Sequence, residues 1–116
     1  MKKTLLVLAM TFVGVTQSLT AQQPTAKLTI RTSAVCPSCK TTIENGMNLA
    51  KGVKNATLNL DSNWVEIDYK PNKTNPEKLR LALTQIGYDA DNLPAQPHAY
   101  DALMTCCKKE YGKHDN

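Results

Sequence analysis

A chain of 116 residues with 14 basic and 10 acidic side chains, formal net charge +4, is the size of one small domain with a modest core. That charge is too mild for a nucleic-acid binder, and no basic run with interleaved aromatics is present. No nucleophile elbow, phosphate loop or Cys–His pair in a recognisable setting argues for a catalyst.

Met1-Lys2-Lys3 is a short basic start, Leu5 to Val15 is apolar and uncharged, and Thr16 to Ala21 is small and polar. This is the layout of a cleaved secretory signal over residues 1–21. The apolar run is short of the roughly 20 residues a bilayer span needs, so no stable membrane insertion is expected after cleavage. The expected location is periplasmic or secreted. The mature part from Gln22 keeps twelve basic and ten acidic residues, a net charge of +2, and all four cysteines. In an oxidising compartment an even count fits two bridges, one bridge beside a dithiol, or a metal site.

Leu28, Ile30 and Thr32 alternate with polar neighbours, which predicts a half-buried strand over Lys27 to Thr32. Pro37 suits a first helical position, and Cys39, Ile43, Met47 and Ala50 share one face of a predicted helix from Pro37 to Ala50. Lys40, Glu44 and Asn48 fall elsewhere, and Gly52 follows as a stop. Ala56, Leu58 and Leu60 alternate as a second strand. Asp61-Ser62-Asn63 is turn chemistry. Val65, Ile67 and Tyr69 make a third strand, in a hairpin with the second, with Trp64 on the opposite face. Asn75-Pro76-Glu77 opens a second helix that carries Leu79, Leu83 and Ile86 on one face and ends at Gly87. Tyr88 to Leu93 reads as a short fourth strand, antiparallel to the first. Its far end then lies away from the first helix, and the following segment must travel back about 17–20 Å. Pro97 starts a short extra helix over His98 to Lys109, with Tyr100, Leu103, Met104 and Cys107 at helical spacing. Tyr111 to Asn116 is a tail.

The order strand, helix, strand, strand, helix, strand predicts an α+β, ferredoxin-like βαββαβ sandwich. Its four-stranded antiparallel sheet carries both helices on one face, and a short C-terminal helix follows. Within that frame Cys36-Pro37-Ser38-Cys39 stands out. Cys36 falls at the N-cap and Cys39 in the first turn, where unpaired N–H groups and the positive end of the helix dipole favour thiolate over thiol. Two such sulfurs make a soft-metal site or a redox pair.

A strand ending in Cys-x-x-Cys, then "Gly-Val-Lys-Asn-Ala-Thr-Leu-Asn-Leu", "Val-Glu-Ile-Asp-Tyr-Lys-Pro" and a helix ending "Ile-Gly-Tyr" resembles the heavy-metal-associated domain over about Lys27 to Leu93. The organisation expected is a signal over 1–21, this domain over 22–93, and an extension over 94–116. In layout the chain is most similar to exported, stand-alone members such as periplasmic mercury- and copper-binding proteins. The resemblance implies a metal-binding module and not an enzyme. Cys36 and Cys39 would hold one soft ion, Cu(I) the expected one and Hg(II) or Zn(II) the alternatives. The ion would pass by ligand exchange to a metal-transporting ATPase or another metal-accepting protein. The alternative is a small thiol–disulfide oxidoreductase using the same pair.

The chain departs from the family pattern in three places. Ala34 stands where the family has a Met that packs under the loop, which implies a looser loop. Pro37 lies between the cysteines. Cys106 and Cys107 lie in an extension without a family counterpart. Neighbouring cysteines bridge one another only under strain. They are therefore candidate extra ligands, partners in other disulfides, or plain thiols. Tyr88 matches an aromatic position near the family's metal loop. His98 and His114 are ligands by residue type only and read as solvated, while Met47 and Met104 read as core.

Overall fold

The structure is a computed structural model that describes Gly14 and residues 24–108. The signal reading over 1–21, the tail from Tyr111 and His114 lie outside the described residues. The elements are β1 (Ala26–Arg31), α1 (Pro37–Asn48), β2 (Val53–Asn59), β3 (Trp64–Tyr69), α2 (Pro76–Ile86) and α3 (Pro97–Asp101). A single 3-10 turn, Thr105–Cys107, follows. Among the described residues no helix is long and apolar enough to cross a membrane.

β3 lies between β1 and β2 and pairs antiparallel with both, with Ile30 opposite Val65 and Leu58 opposite Val65. The side-chain period of two puts Ile30, Ala56, Leu58, Val65, Ile67 and Tyr69 on the buried face. Against them lie Cys39, Ile43 and Met47 of α1 and Leu79 and Leu83 of α2. Each large buried side chain there contributes about 1.5–3 kcal/mol from apolar burial. Trp64 is on the other face, exposed, as its alternation predicts. Asn59 Oδ1 accepts from the N–H groups of Asp61 and Ser62, at 2.9 and 3.2 Å, which closes the β2–β3 turn. A Cβ at Gly46 would stand 2.6 Å from Ile86 Cδ1, so glycine lets α1 and α2 approach closely.

The fourth strand expected over Tyr88 to Leu93 does not form. The chain begins to pair with β1, and Asp91 N–H donates to Arg31 O at 2.8 Å. It then folds back on itself in an isolated bridge between Ala90 and Leu93. The cause is local. Asp91 sits at φ 52°, a turn conformation that aspartate tolerates, and its carboxylate takes the Arg31 N–H at 2.9 Å and the Arg80 Nε at 2.8 Å. Pro94 then removes the next ladder donor. The sheet is therefore three-stranded, and no return trip along a fourth strand is needed. The α+β sandwich with both helices on one face stands.

The extra helix is also shorter than expected, five residues, with Ala102 as its C-cap. Because it stops there, Met104 leaves the apolar face and is 60 % exposed, against the core position expected for it. Met47 is fully buried, as expected.

Candidate metal centre

Cys36 is the N-cap of α1, in extended backbone (φ −151°, ψ 166°), with Pro37 at the first helical position. Its carbonyl accepts the Cys39 N–H at 3.0 Å. The loop before it is pinned at two points. Thr32 N–H donates to Asn63 O at 2.9 Å, and Ala34, where the family pattern has Met, is 2 % exposed. With its amide turned to suit its surroundings, Asn63 Nδ2 donates to the carbonyls of Ala34 and Leu60, each at 3.0 Å.

The helix itself is tied to the free edge of β2 by side chains that sequence periodicity assigns only to a polar face. Glu44 accepts the Leu58 N–H at 2.8 Å, Asn48 Oδ1 accepts the Ala56 N–H at 3.0 Å, and Lys40 donates to Leu58 O at 2.8 Å while pairing with Glu44. Lys40, Glu44 and Asn48 are four residues apart, so one helical stripe covers an exposed strand edge. Burial would raise the Glu44 carboxyl, but the Lys40 ammonium and the Leu58 N–H outweigh it and hold it below its ordinary value.

All four cysteines converge. Cys36 Sγ lies 3.3 Å from Cys39 Sγ, 3.5 Å from Cys106 Sγ and 3.6 Å from Cys107 Sγ, and the last two are 4.0 Å apart. None is in a disulfide. Cys39 and Cys107 are buried, and Cys36 and Cys106 are half-buried. Burial alone would raise the Cys36 thiol. The Cys39 backbone N–H and the thiols of Cys39, Cys106 and Cys107 overcome it and lower Cys36 to about 7. The thiolate form of Cys36 is thereby favoured relative to an ordinary cysteine. Cys107 moves the other way, raised by burial and then by Cys39. Beside this inner pair stands Tyr88, fully buried, with a hydroxyl that has no hydrogen-bond partner. Burial, then Cys107 and Cys39, push its phenol up. Tyr88 thus lies near the metal loop, as the family resemblance implies, and its approach to Cys107 of the extension is what the sequence did not show. His98 is exposed in α3, as a solvated histidine.

Paired sulfurs at the mouth of the first helix of a small antiparallel α+β layer make a soft-metal site or a redox pair. The chain belongs to the heavy-metal-associated domain family, whose model matches residues 29–89. It is 39 % identical over 59 residues to a copper-exporting P-type ATPase of Staphylococcus aureus (strain JH9), a match covering 51 % of this chain and 7 % of that protein. The chain thus spans a small fraction of the curated relatives it matches. Among solved structures, the CopZ metallochaperone aligns at TM-score 0.53 and 26 % identity, covering 56 % of this chain and 98 % of that one. Oxidized MerP from Ralstonia metallidurans CH34 shares the fold at TM-score 0.56 and 20 % identity, covering 59 % and 96 %.

Proposed function

We propose that this chain is an exported soft-metal-binding protein that takes up one thiophilic ion through Cys36 and Cys39 and transfers or buffers it. Cu(I) is the expected ion. The observation that carries the reading is the convergence of four cysteine sulfurs at the N-terminus of α1, with Cys36 Sγ 3.3–3.6 Å from the other three. Thiolates select soft ions, and Cu(I) and Hg(II) accept few of them. The relatedness to a copper-exporting ATPase supports copper as the cargo and a metal-transporting ATPase, or another metal-accepting protein, as the partner. Export is supported by the basic start, apolar run and small polar stretch of residues 1–21.

The chemistry is ligand exchange. Cys36, half-buried at the surface, meets the incoming partner first. A partner thiolate adds to the ion, a three-coordinate intermediate forms, and one resident thiolate leaves; no electron moves. The chain acts as a binding module in this scheme and performs no turnover.

Anaerobic Cu(I) loading of the mature protein, read by native mass spectrometry, tests it. One bound copper is expected, and Cys36→Ser should lose it. Absence of uptake together with turnover in an insulin reduction assay would move the reading to a thiol–disulfide oxidoreductase working through Cys36 and Cys39.

A further inference from the structure

The C-terminal extension is docked by specific contacts. Gln96 N–H donates to Thr84 O at 3.0 Å, and Ala95 N–H donates to Asp89 Oδ1 at 2.9 Å. Gly87 leaves no Cβ, which would stand 2.8 Å from Ala99 O and 3.0 Å from Leu103 Cδ2. This seating delivers the Thr105–Cys107 turn onto α1, and the Cys107 N–H closes that turn on Met104 O at 2.8 Å. Both arm sulfurs then face Cys36.

The spacing of these sulfurs carries chemical information. With metal–sulfur bonds of about 2.3 Å, two sulfurs on opposite sides of an ion stand about 4.6 Å apart, whereas three or four around it stand about 3.8–4.0 Å apart. Cys36, Cys106 and Cys107 form a triangle with edges of 3.5, 3.6 and 4.0 Å. Two edges are slightly shorter than the spacing around a shared ion and one matches it, so an ion held by all three needs the sulfurs to part by only a few tenths of an ångström, far less than the separation of a linear pair would require. The buried Tyr88 hydroxyl lies beside Cys107 and Cys39, and a thiolate there would accept from it better than a thiol does.

We propose that Cys106 and Cys107 join Cys36 to complete the ion site in cis, so that the chain holds its thiophilic ion on at least three sulfurs and retains it. The arm sulfurs lie beside Cys36, the half-buried sulfur of the Cys-x-x-Cys pair. This rests on the metal-binding reading above and decides between its two forms, in favour of buffering. Each thiol that joins the ion loses its proton to solvent as its sulfur–metal bond forms, and the ion keeps its oxidation state. On transfer, an acceptor thiolate bonds to the ion as an arm sulfur leaves and takes up a proton.

The test uses the full mature chain loaded anaerobically with one equivalent of Cu(I). X-ray absorption should report about three Cu–S bonds in the native chain and about two in Cys106→Ser/Cys107→Ser. Release of copper to an excess of a bidentate Cu(I) chelator should be at least about tenfold faster in the double variant. Because Cys107 is buried, the half-exposed Cys106→Ser is measured beside it, with circular dichroism as the check on folding. Faster release in that folded single variant supports the proposal. Two Cu–S bonds in the native chain, or equal release from all three proteins, overturns it. Failure of the native chain to take up copper at all overturns the metal-binding reading itself, and is told apart because it appears before any arm variant is compared.

Discussion

The two long helices begin alike and are finished differently. Both have proline at the first helical position. In α2 the N-cap Asn75 accepts the Lys78 N–H at 2.9 Å, Glu77 lies in the first turn, and Gly87 closes the C-terminus at φ 117°. In α1 the N-cap is Cys36, which makes no side-chain cap bond, and the first turn holds no acid. A cap is worth about 0.5–2 kcal/mol, and an acid in the first turn adds a few tenths more. α1 forgoes both at the end where the four sulfurs meet, and is held instead along its flank by Lys40, Glu44 and Asn48 on β2. One helix is built for stability, and the other leaves its positive end open for thiolate.

The sharpest way to break this comparison is to give α1 the cap that α2 has. Cys36→Asn should abolish Cu(I) uptake, a loss of at least about 100-fold in affinity, given that losing a group that only orients a ligand already costs about 10–100-fold. It should also raise the urea midpoint of the metal-free protein, by about 0.5–1 kcal/mol of stability. Binding lost without any gain in stability would mean that the end of α1 is not an uncapped site. Next in size, Gly87→Ala places a side chain at φ 117° and against the Ala99 carbonyl, and should destabilise by about 1–3 kcal/mol in denaturant unfolding.

The pH dependence separates the two helix ends again. Protons compete with the ion for every ligand thiol, so affinity should fall as pH falls, and more steeply below about 7, where Cys36 also takes up its proton, measured by chelator competition. Near α2, burial would raise the Asp91 carboxyl, but Arg80 and the Arg31 N–H hold it below its ordinary value. Its folded value is thus the lower one. The stability it contributes is present above about pH 4 and is lost as pH falls through that lower value. The ion should therefore leave before the fold does in an acid titration followed by both readouts. The smallest effect expected is Asn75→Ala, about 1 kcal/mol of stability with Cu(I) affinity unchanged.

Much of this molecule was legible beforehand because it depends on short-range rules. Alternation at Leu28–Ile30, Ala56–Leu58 and Val65–Ile67 marks one buried sheet face, and Pro37, Pro76 and Gly87 mark helix ends within a residue or two. Cys36 at the N-cap follows from Pro37 alone. Three things were not legible. Tyr88 to Leu93 has the composition of a strand, but the Asp91 turn, held by Arg80 and Arg31 from two other elements, diverts it. Lys40, Glu44 and Asn48 look like a solvated stripe, because periodicity says which face a residue occupies and not what lies across from it. Met104 was placed on a helix that ends before reaching it.

Sequence by itself determined the layer order and the pair of thiols at a helix mouth, both of which depend on neighbours a few positions away. Only the tertiary structure decided that Cys106 and Cys107, seventy residues on, belong beside Cys36. Their place depends on a failed strand, a glycine without a Cβ and a five-residue helix acting together, and such long-range closure leaves no periodic trace in the chain.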